Sequence, residues 1–408
     1  MSSKHFEERC QELLQSLETS GQTKPFYEIQ GPMGPVVKID GKGEIIVLCS
    51  NNYLGLADHP EVIEAGIQGL KDYGAGTASV RFICGTLSCH RQLEEEIAEL
   101  IGTPSSLSYV SCWNANEAVF PTLTGPDDIL LSDELNHASI IDGCRLVSKK
   151  VEKQVYKHSD LEDLERRLKG SMDKACRWVI TDGVFSMEGD VCRLPELIDL
   201  CEKYEALLVL DDSHGIGVLG QSGRGTPEFF DAMGKVDIIT GTLGKALGGA
   251  AGGYVGASQS AIRTLEQRAR PSLFSNALPA TVAYSAGKAI EILRRDDSIV
   301  SRLHGNVSKL RQGFADLGYD CPSSPTAIIP IMIGDEAEAI QKSKRLFELG
   351  IMVIGFGFPV VPRGEARLRV QVSAALQQEH IDRILDLSLI HISEPTRPER
   401  IADGGVCL

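Results

Sequence analysis

The chain has 408 residues, of which 42% are hydrophobic and 24% are charged, and this length and balance fit a globular protein with more than one domain. Its formal net charge of −15 disfavours nucleic acids and anionic membrane surfaces as partners. The eleven cysteines are scattered without a Cys-x-x-Cys pair or metal-ligand spacing, so the sequence predicts reduced thiols and no metal site.

The first 50 residues are predicted to form a separate N-terminal segment. A helix is expected over residues 4–20, followed by a strand pair around Val36–Val47 that Gly41 and Gly43 interrupt. The first residues, MSSKHFEERCQELLQSLE, lack both the apolar stretch of a secretory signal and the Arg-rich character of a transit peptide. No run of about 18 apolar residues is free of charge, so the sequence predicts a cytoplasmic protein without a membrane span.

Helical and extended patterns alternate between residues 51 and 294, which we predict to form the large domain. The expected helices are QLEEEIAELIG, SIIDGCRLV, LEDLERRLKG and LPELIDLCEKYEA, and the expected strands are DDILLSD, RWVITDGVFS, LLVLDDSHG and VDIITGTLGKA. Such alternation predicts an α/β fold with a mostly parallel sheet that is covered on both faces. In sheets of this kind, ligands bind beyond the carboxyl ends of the strands.

A helix over about Leu278–Leu293 is expected to lead into a smaller C-terminal α/β domain, residues 295–386. Its predicted elements are the strands AIIPIMIGD, IMVIGF and ARLRVQVSA and the helix QKSKRLFELG. Residues 387–408 are set apart, because LSLIHISEPTR (387–397) resembles the translation of a transposon adapter used to prepare sequencing libraries. We therefore expect residues 387–408 not to be native, with the last native helix cut short near Asp386.

A lysine in a turn of small residues belongs to the strongest functional motif. Lys245 follows a buried strand in IITGTLGKALGG, residues 238–249. A lysine amine becomes a nucleophile when burial makes it neutral, and the flanking glycines let a planar cofactor approach the backbone. The alternative is a surface lysine in a glycine-rich loop, and this motif alone leaves the two readings open.

A second motif, VLDDSHG (209–215), favours a cofactor. Asp211 ends an apolar strand, and His214 follows three residues later. A pyridoxal ring needs a carboxylate at its pyridine nitrogen, because the protonated ring is the electron sink that stabilises a carbanion. Asp211 suits that role and His214 suits the ring hydroxyl, whereas the alternative for Asp211 and Asp212 is a solvated acidic turn.

Two further motifs add to this interpretation only in combination with the others. In VSCWNANEAVF (110–120) a loop opens a helix, whose N–H groups and dipole can hold a phosphate without a basic side chain. A plain helix cap is the alternative. In LNHASIIDG (135–143), His137 could stack on a cofactor ring, although a lone histidine is more often a structural residue.

Together these motifs resemble the α-oxoamine synthase family of type I pyridoxal-phosphate enzymes, from about Asn51 to Ala375. The segments that match are NNYLGLADHP, ASVRFICGT, LNHASIIDG, TDGVFSMEGD, DDSHGIG, GTLGKALGGAAGGY and RPSLFSNALP. The resemblance implies the type I PLP-dependent transferase fold, which is aspartate aminotransferase-like, and pyridoxal 5'-phosphate (PLP) as cofactor. It also implies a homodimer with shared active sites.

The resemblance implies a role for each matching residue. Lys245 would bind the cofactor covalently, Asp211 would pair with the ring nitrogen, and His214 would contact the ring hydroxyl. His137 would stack on the ring, and Ser186 would also lie at the cofactor. The residues that would bind the phosphate are Cys112, Trp113 and Thr242, together with Ser275 and Asn276 from the neighbouring subunit, and those that would bind the amino acid are Asn51, His137 and Arg369. From the residues alone, Arg367 and Arg369 are both open as the carboxylate-binding arginine, because they alternate along one strand.

The substrates that the resemblance implies are glycine and acetyl-CoA, joined reversibly to 2-amino-3-ketobutyrate and CoA by an acyltransferase, in the breakdown of threonine to glycine. The alternatives are another α-oxoamine synthase (8-amino-7-oxononanoate synthase, 5-aminolevulinate synthase or serine palmitoyltransferase) and a catalytically inactive binding subunit. The glycine spacing in HGIGVLG matches a dinucleotide site, but no helix opening follows it, and GTLGKA lacks the P-loop spacing.

Overall fold

The computed structural model describes residues 3–19, 22–358 and 360–391. Within these ranges the helices are α1 (Lys4–Thr19), α2 (Pro60–Tyr73), α3 (Ser88–Ile101), α4 (Cys112–Leu123), α5 (Ala138–Arg145), α6 (Leu161–Lys169), α7 (Leu194–Lys203), α8 (Thr226–Phe229), α9 (Gln259–Arg268), α10 (Arg270–Phe274), α11 (Ala280–Arg295), α12 (Ser298–Asp316), α13 (Glu336–Glu348) and α14 (Gln378–His391). The strands are β1 (Ile29–Gln30), β2 (Val36–Ile39), β3 (Gly43–Val47), β4 (Ser105–Tyr109), β5 (Ile129–Asp133), β6 (Glu152–Tyr156), β7 (Arg177–Asp182), β8 (Leu207–Asp211), β9 (Ile238–Thr242), β10 (Gly253–Ala257), β11 (Ile328–Gly334), β12 (Ile351–Met352), β13 (Ile354–Phe356) and β14 (Ala366–Gln371).

Seven strands form the central sheet in the order β4-β10-β9-β8-β7-β5-β6. The run from β9 to β6 is parallel, so the predicted α/β class with a mostly parallel sheet is confirmed. Each helix and strand predicted between residues 51 and 294 has a counterpart. The sequence does not predict β10, which pairs antiparallel with both β9 and β4, because its two glycines have low strand propensity.

Both faces of the central sheet are buried, which explains the apolar runs in its strands. In β5, the side chains of Ile129 and Leu131 join one core cluster, and Leu130 between them joins a second cluster. Successive side chains of a strand point to opposite faces, so the two clusters cover the two sides of the sheet. A strand covered in this way cannot show the polar-apolar alternation of a half-exposed strand.

Two smaller sheets lie beside the central one. The first has the order β1-β2-β3-β12, in which β2 and β3 are the predicted strand pair and Ile351 of β12 pairs in parallel with Ile46. The second has the order β11-β14-β13. The single strand predicted for IMVIGF is therefore wrong: the chain leaves one sheet after Met352 and enters the other at Ile354. Val353 between them is 3% exposed and belongs to the core. Its burial therefore fixes the point at which the chain passes from one sheet to the other.

The predicted boundaries at residues 50 and 294 stay predictions. The first five residues of the predicted non-native tail, 387–391, continue α14, and residues 392–408 lie outside the described residues, as does residue 20 of the predicted N-terminal helix. Among the described helices, none is both long enough and apolar enough to cross a membrane.

His158 connects the loops that follow β5, β6 and β7. Its Nδ1 lies 3.0 Å from Oδ1 of Asp133, and its Nε2 lies 3.0 Å from Oδ2 of Asp190. Burial lowers the pKa of His158, but the hydrogen bonds to the two carboxylates outweigh it and raise this pKa to about 10. The ring also packs edge-on against Phe185, so a protonated histidine holds the loop that contains Ser186.

We predict that His158→Gln destabilises the protein by about 1–3 kcal/mol at pH 6.5, because two charge-assisted hydrogen bonds are lost. The pKa of His158 is higher in the folded than in the unfolded chain, whose histidine pKa is about 6.5. Its contribution is therefore complete below that pH and is lost as the pH rises through about 10. Thermal unfolding midpoints of wild type and variant should converge between pH 6.5 and 10. His5→Gln in the exposed helix α1 serves as control, and a gap that does not change with pH would contradict the assignment.

Candidate active site

Three neighbouring strands bring acidic and basic side chains to one edge of the central sheet. The register pairs Asp182 at the end of β7 with Asp211 at the end of β8, and Asp211 with Thr240 of β9. β9 ends at Thr242, and Lys245 follows three residues later. The predicted residues Asp211, His214 and Lys245 thus lie together at the carboxyl ends of parallel strands, as expected for a ligand site in such a sheet.

Lys245 and His214 are in direct contact. Nζ of Lys245 lies 2.8 Å from Nε2 of His214. Burial lowers the pKa of Lys245, although the charge of Asp211 opposes this shift. Burial, followed by the nearby charge of Lys245, lowers the pKa of His214 well below its usual value. Both shifts favour the neutral forms, so the amine is available as a nucleophile or a base.

Asp211 is a buried carboxylate fixed by several donors. Its Oδ2 accepts from Nδ2 of Asn116 at 2.7 Å, and its Oδ1 accepts from the backbone N–H of Ser213 at 3.0 Å. The thiol of Cys112 lies 3.6 Å from Oδ2. The side chain is 4% exposed, so it is not the solvated acidic turn considered above. A carboxylate held in this way can pair with a protonated ring nitrogen.

A chain of hydrogen bonds leads from Lys245 into the C-terminal part of the molecule. Nδ1 of His214 lies 2.8 Å from the hydroxyl of Tyr53. That hydroxyl accepts from Nε2 of Gln371 at 2.8 Å, and Gln371 in turn accepts from Nη2 of Arg369 at 3.0 Å. Tyr53 and Gln371 are not among the site residues predicted from the sequence. Both lie in the motifs NNYLGL and RLRVQV, but only the fold brings these segments to His214.

His137 lies beside this cluster at the start of α5. Its backbone N–H donates to Oδ2 of Asp182 at 2.8 Å, and its Nδ1 lies 2.7 Å from the hydroxyl of Ser139. Burial lowers its pKa, against the charge of Asp211. Its ring also meets Trp113 edge-on, with the ring centres 6.0 Å apart. Asp182, which was not predicted as a site residue, therefore orients His137.

The start of α4 faces the same edge of the sheet. Ser111 is the N-cap and accepts from the N–H of Asn114 at 3.2 Å, and the first turn of any helix has further N–H groups that the helix itself does not satisfy. A Cβ atom at Gly253 of β10 would overlap with the backbone nitrogen of Cys112, so only glycine allows this close approach. The hydroxyl of Thr242 accepts from the N–H of Gly244 at 3.0 Å.

The two arginines of β14 have different partners. Arg367 donates to Glu365 at 3.1 Å and approaches Glu188 at 3.5 Å. Among the described residues, no carboxylate lies within ion-pair distance of Arg369, and its buried Nε has no partner. Nη1 of Arg369 donates to the carbonyl oxygen of Ser186 at 3.0 Å. Of the two arginines, Arg369 is therefore the one that has no carboxylate partner among the described residues.

Two predicted residues lie apart from this cluster. Ser275 and Asn276 follow α10, where Asn276 is exposed and pairs with Val80 in an isolated β-bridge. The Ser275 hydroxyl donates to the Asn276 carbonyl oxygen at 3.5 Å. Their predicted contact with the phosphate of a neighbouring subunit stays a prediction.

The family model for class I and II aminotransferases matches residues 43–387. The chain belongs to this family and, within it, to the α-oxoamine synthases, as the sequence motifs predict.

Several curated relatives are 2-amino-3-ketobutyrate coenzyme A ligases, including the mitochondrial enzyme of Homo sapiens, which is 45% identical over 91% of this chain and 89% of its own length. An 8-amino-7-oxononanoate synthase of Thermoanaerobacter pseudethanolicus is 43% identical over 94% of this chain and 97% of its own length. Among solved structures, a serine palmitoyltransferase variant of S. paucimobilis with a bound PLP–myriocin aldimine superposes with a TM-score of 0.86 at 29% identity, covering 91% of this chain and 94% of that one. The predicted type I PLP-dependent transferase fold is thereby confirmed.

We predict that the amine of Lys245 begins to react with a small acylating reagent at a lower pH than an ordinary lysine does, because burial lowers its pKa. Competitive labelling of the cofactor-free chain with trace acetic anhydride between pH 6 and 11, read by peptide mass spectrometry, gives the rate at each lysine. The exposed Lys71 on α2 reports the reactivity of a solvated amine in the same sample. Equal pH profiles for Lys245 and Lys71 would contradict the lowered pKa.

Proposed function

We propose that the chain is a PLP-dependent acyltransferase that joins glycine and acetyl-CoA reversibly to 2-amino-3-ketobutyrate and CoA. The observation that carries this proposal is the 43–46% identity to several 2-amino-3-ketobutyrate coenzyme A ligases over 84–92% of the chain. The site adds the chemistry: a buried amine with a lowered pKa at Lys245 lies close to the fixed carboxylate of Asp211.

The residues of the site fit PLP. Lys245 offers the amine that binds the aldehyde, and Asp211 offers a buried carboxylate for the ring nitrogen. Because Gly253 has no side chain, β10 can lie close to the start of α4. The N–H groups at that helix start suit a phosphate. When bound, the cofactor supplies a protonated ring that withdraws electrons from the bonds of the amino-acid Cα.

The protein's own groups then have separate tasks. With its pKa lowered by burial, the amine of Lys245 can take a proton from Cα of glycine as general base. Asn116 and Ser213 hold the carboxylate of Asp211 in place for the ring nitrogen. Neutral His214 offers a hydrogen bond at the lysine end of the site, and we assign His137 to the ring face.

Arg369 is the group we assign to the glycine carboxylate, together with Asn51. The buried Nε of Arg369 lacks a partner, and a buried donor without an acceptor costs about 1–3 kcal/mol. A bound carboxylate would remove that cost while forming a charge-assisted pair. Arg367 is unsuited to this task, because Glu365 and Glu188 already occupy its guanidinium.

We also propose a homodimer in which Ser275 and Asn276 of one subunit reach the cofactor phosphate of the other. In support, the large apolar side chains of Phe82, Ile83 and Phe274 are 62%, 67% and 71% exposed in the single chain, and exposed apolar surface of this kind is typical of an interface.

The breakdown of threonine to glycine and a cytoplasmic location are part of the same proposal, although the human relative is named as mitochondrial.

The second candidate function is an 8-amino-7-oxononanoate synthase, which the 43% identical relative favours. The two functions differ in the amino acid and in the acyl chain. We expect purified protein with PLP to release CoA fastest with glycine and acetyl-CoA, when glycine, alanine and serine are each combined with acyl-CoA chains from acetyl to palmitoyl. The variant Lys245→Ala should lose this activity and should not retain the cofactor after borohydride reduction. Faster release with alanine or serine and a long acyl chain would overturn the substrate assignment.

We predict that Arg369→Gln raises the KM for glycine about 10- to 100-fold, because a charge-assisted pair worth about 1.5–3 kcal/mol is lost. Steady-state kinetics at saturating acetyl-CoA, with glycine varied, measure this change. Arg367→Gln is the matched control on the same strand. It should lower the unfolding temperature, since Glu188 then lacks its partner, while the glycine KM changes less than threefold. The reverse pattern would assign the carboxylate to Arg367.

A further inference from the structure

Gln371 is a buried glutamine whose amide is fully used. It is 1% exposed and lies on β14, two residues beyond Arg369. Its Nε2 donates to Oδ1 of Asn51 at 2.6 Å and lies 2.8 Å from the Tyr53 hydroxyl, and its Oε1 accepts from Nη2 of Arg369 at 3.0 Å. One side chain therefore contacts both residues that we assign to the glycine carboxylate.

The orientation of this amide follows from its partners. A guanidinium can only donate, so the atom that faces Arg369 must be the oxygen of Gln371. The nitrogen then faces Asn51 and Tyr53, and its two hydrogens serve these two acceptors. Rotating the amide by half a turn would set donor against donor at Arg369, so the side chain has a single satisfied orientation.

This orientation determines where the proton of His214 lies. The Tyr53 hydroxyl accepts from Gln371 and has His214 Nδ1 as its other partner, at 2.8 Å. Its own hydrogen is therefore donated to Nδ1. A neutral imidazole has one N–H, so the hydrogen of His214 is on Nε2, which lies 2.8 Å from Nζ of Lys245.

We propose that Gln371 is a positioning residue with two tasks: through Tyr53 it fixes the Nε2–H tautomer of His214 beside Lys245, and directly it orients Arg369 and Asn51 for the amino-acid carboxylate. The second task rests on the proposed function, whereas the first does not. The Nε2–H group is then a fixed hydrogen-bond donor beside the nitrogen of Lys245, where the aldehyde of the cofactor would bind. The NH2 group of Asn51 is left to donate, because Gln371 takes its oxygen.

The surroundings of His214 agree with a neutral ring. Lys245 and Tyr53 contact it directly, and the charge of Arg369 lowers its pKa further, after burial and the charge of Lys245. A proton on both nitrogens would place a cation next to the lysine amine, where burial already disfavours charge. The choice between the two neutral tautomers is therefore left to the hydrogen bond from Tyr53.

The variant Gln371→Glu separates this role from simple packing, because it keeps the shape of the side chain. A carboxylate there pairs with Arg369 and accepts from Tyr53, which must then accept from His214. We expect the tautomer of His214 to change to Nδ1–H. Two-dimensional NMR of the full chain labelled with ¹⁵N-histidine and freed of cofactor reads the tautomer, and His214→Asn identifies the signal. With PLP bound, the KM for glycine should rise at least tenfold, since Arg369 and the NH2 group of Asn51 then bind the new carboxylate.

The matched control is Gln154→Glu on the edge strand β6, where the glutamine is half-buried and accepts from Arg167 at 3.0 Å. It should change neither the His214 signal nor the glycine KM. A folded Gln371→Glu protein that keeps the Nε2–H tautomer would overturn the proposal. If that variant does not fold, Tyr53→Phe removes the hydrogen bond to Nδ1 and should leave a mixture of the two neutral tautomers, so a pure Nε2–H form there would also overturn the proposal. Absence of acyltransferase activity in the wild type would contradict the proposed function but leave the tautomer result unaffected.

Discussion

The removal of Lys245 from water is the constraint on which the site depends. A charged ammonium in this place would lose several kcal/mol of hydration, so burial favours the neutral amine. His214, at 2.8 Å from this amine, is subject to the same constraint, because burial lowers its pKa as well. The negative charge of Asp211 is kept close by and is fixed by its own donors, Asn116 and Ser213. The amine of Lys245 and the carboxylate of Asp211 thus lie close together in one buried site.

The fold supplies this arrangement through the ends of parallel strands. β7, β8 and β9 are held in register by their backbone hydrogen bonds, so Asp182 and Asp211 stand side by side without any contribution from their side chains. The loops that follow these strands are fixed from outside: His158 holds the loop with Ser186 from one side, and the arginines of β14 hold it from the other. Rigid elements of the fold therefore fix the positions of the site residues.

Much of this could be predicted from the sequence, because the pattern of each strand and the residues at its end are local. Lys245, Asp211, His214 and His137 lie in motifs that the fold brings together. Gln371 and Tyr53 could not be predicted as partners, since 318 residues separate them and neither has an unusual local pattern. The break at Val353 could not be predicted either, because it depends on burial between two sheets, and β10 could not be predicted because its two glycines have low strand propensity. Ser275 and Asn276 stay predictions from resemblance, since the single chain leaves Asn276 at the surface.

The parallel pairing of Ile46 with Ile351 has a consequence for synthesis. At a translation rate of about 5–20 residues per second, β3 emerges roughly 15–60 s before its partner strand β12 does. During that interval the apolar edge of β3, with Ile45, Ile46 and Val47, lacks the neighbour that later covers it, and such an edge can pair with another nascent chain. The hairpin of β2 and β3 therefore keeps one edge unpaired until nearly the whole polypeptide has been made.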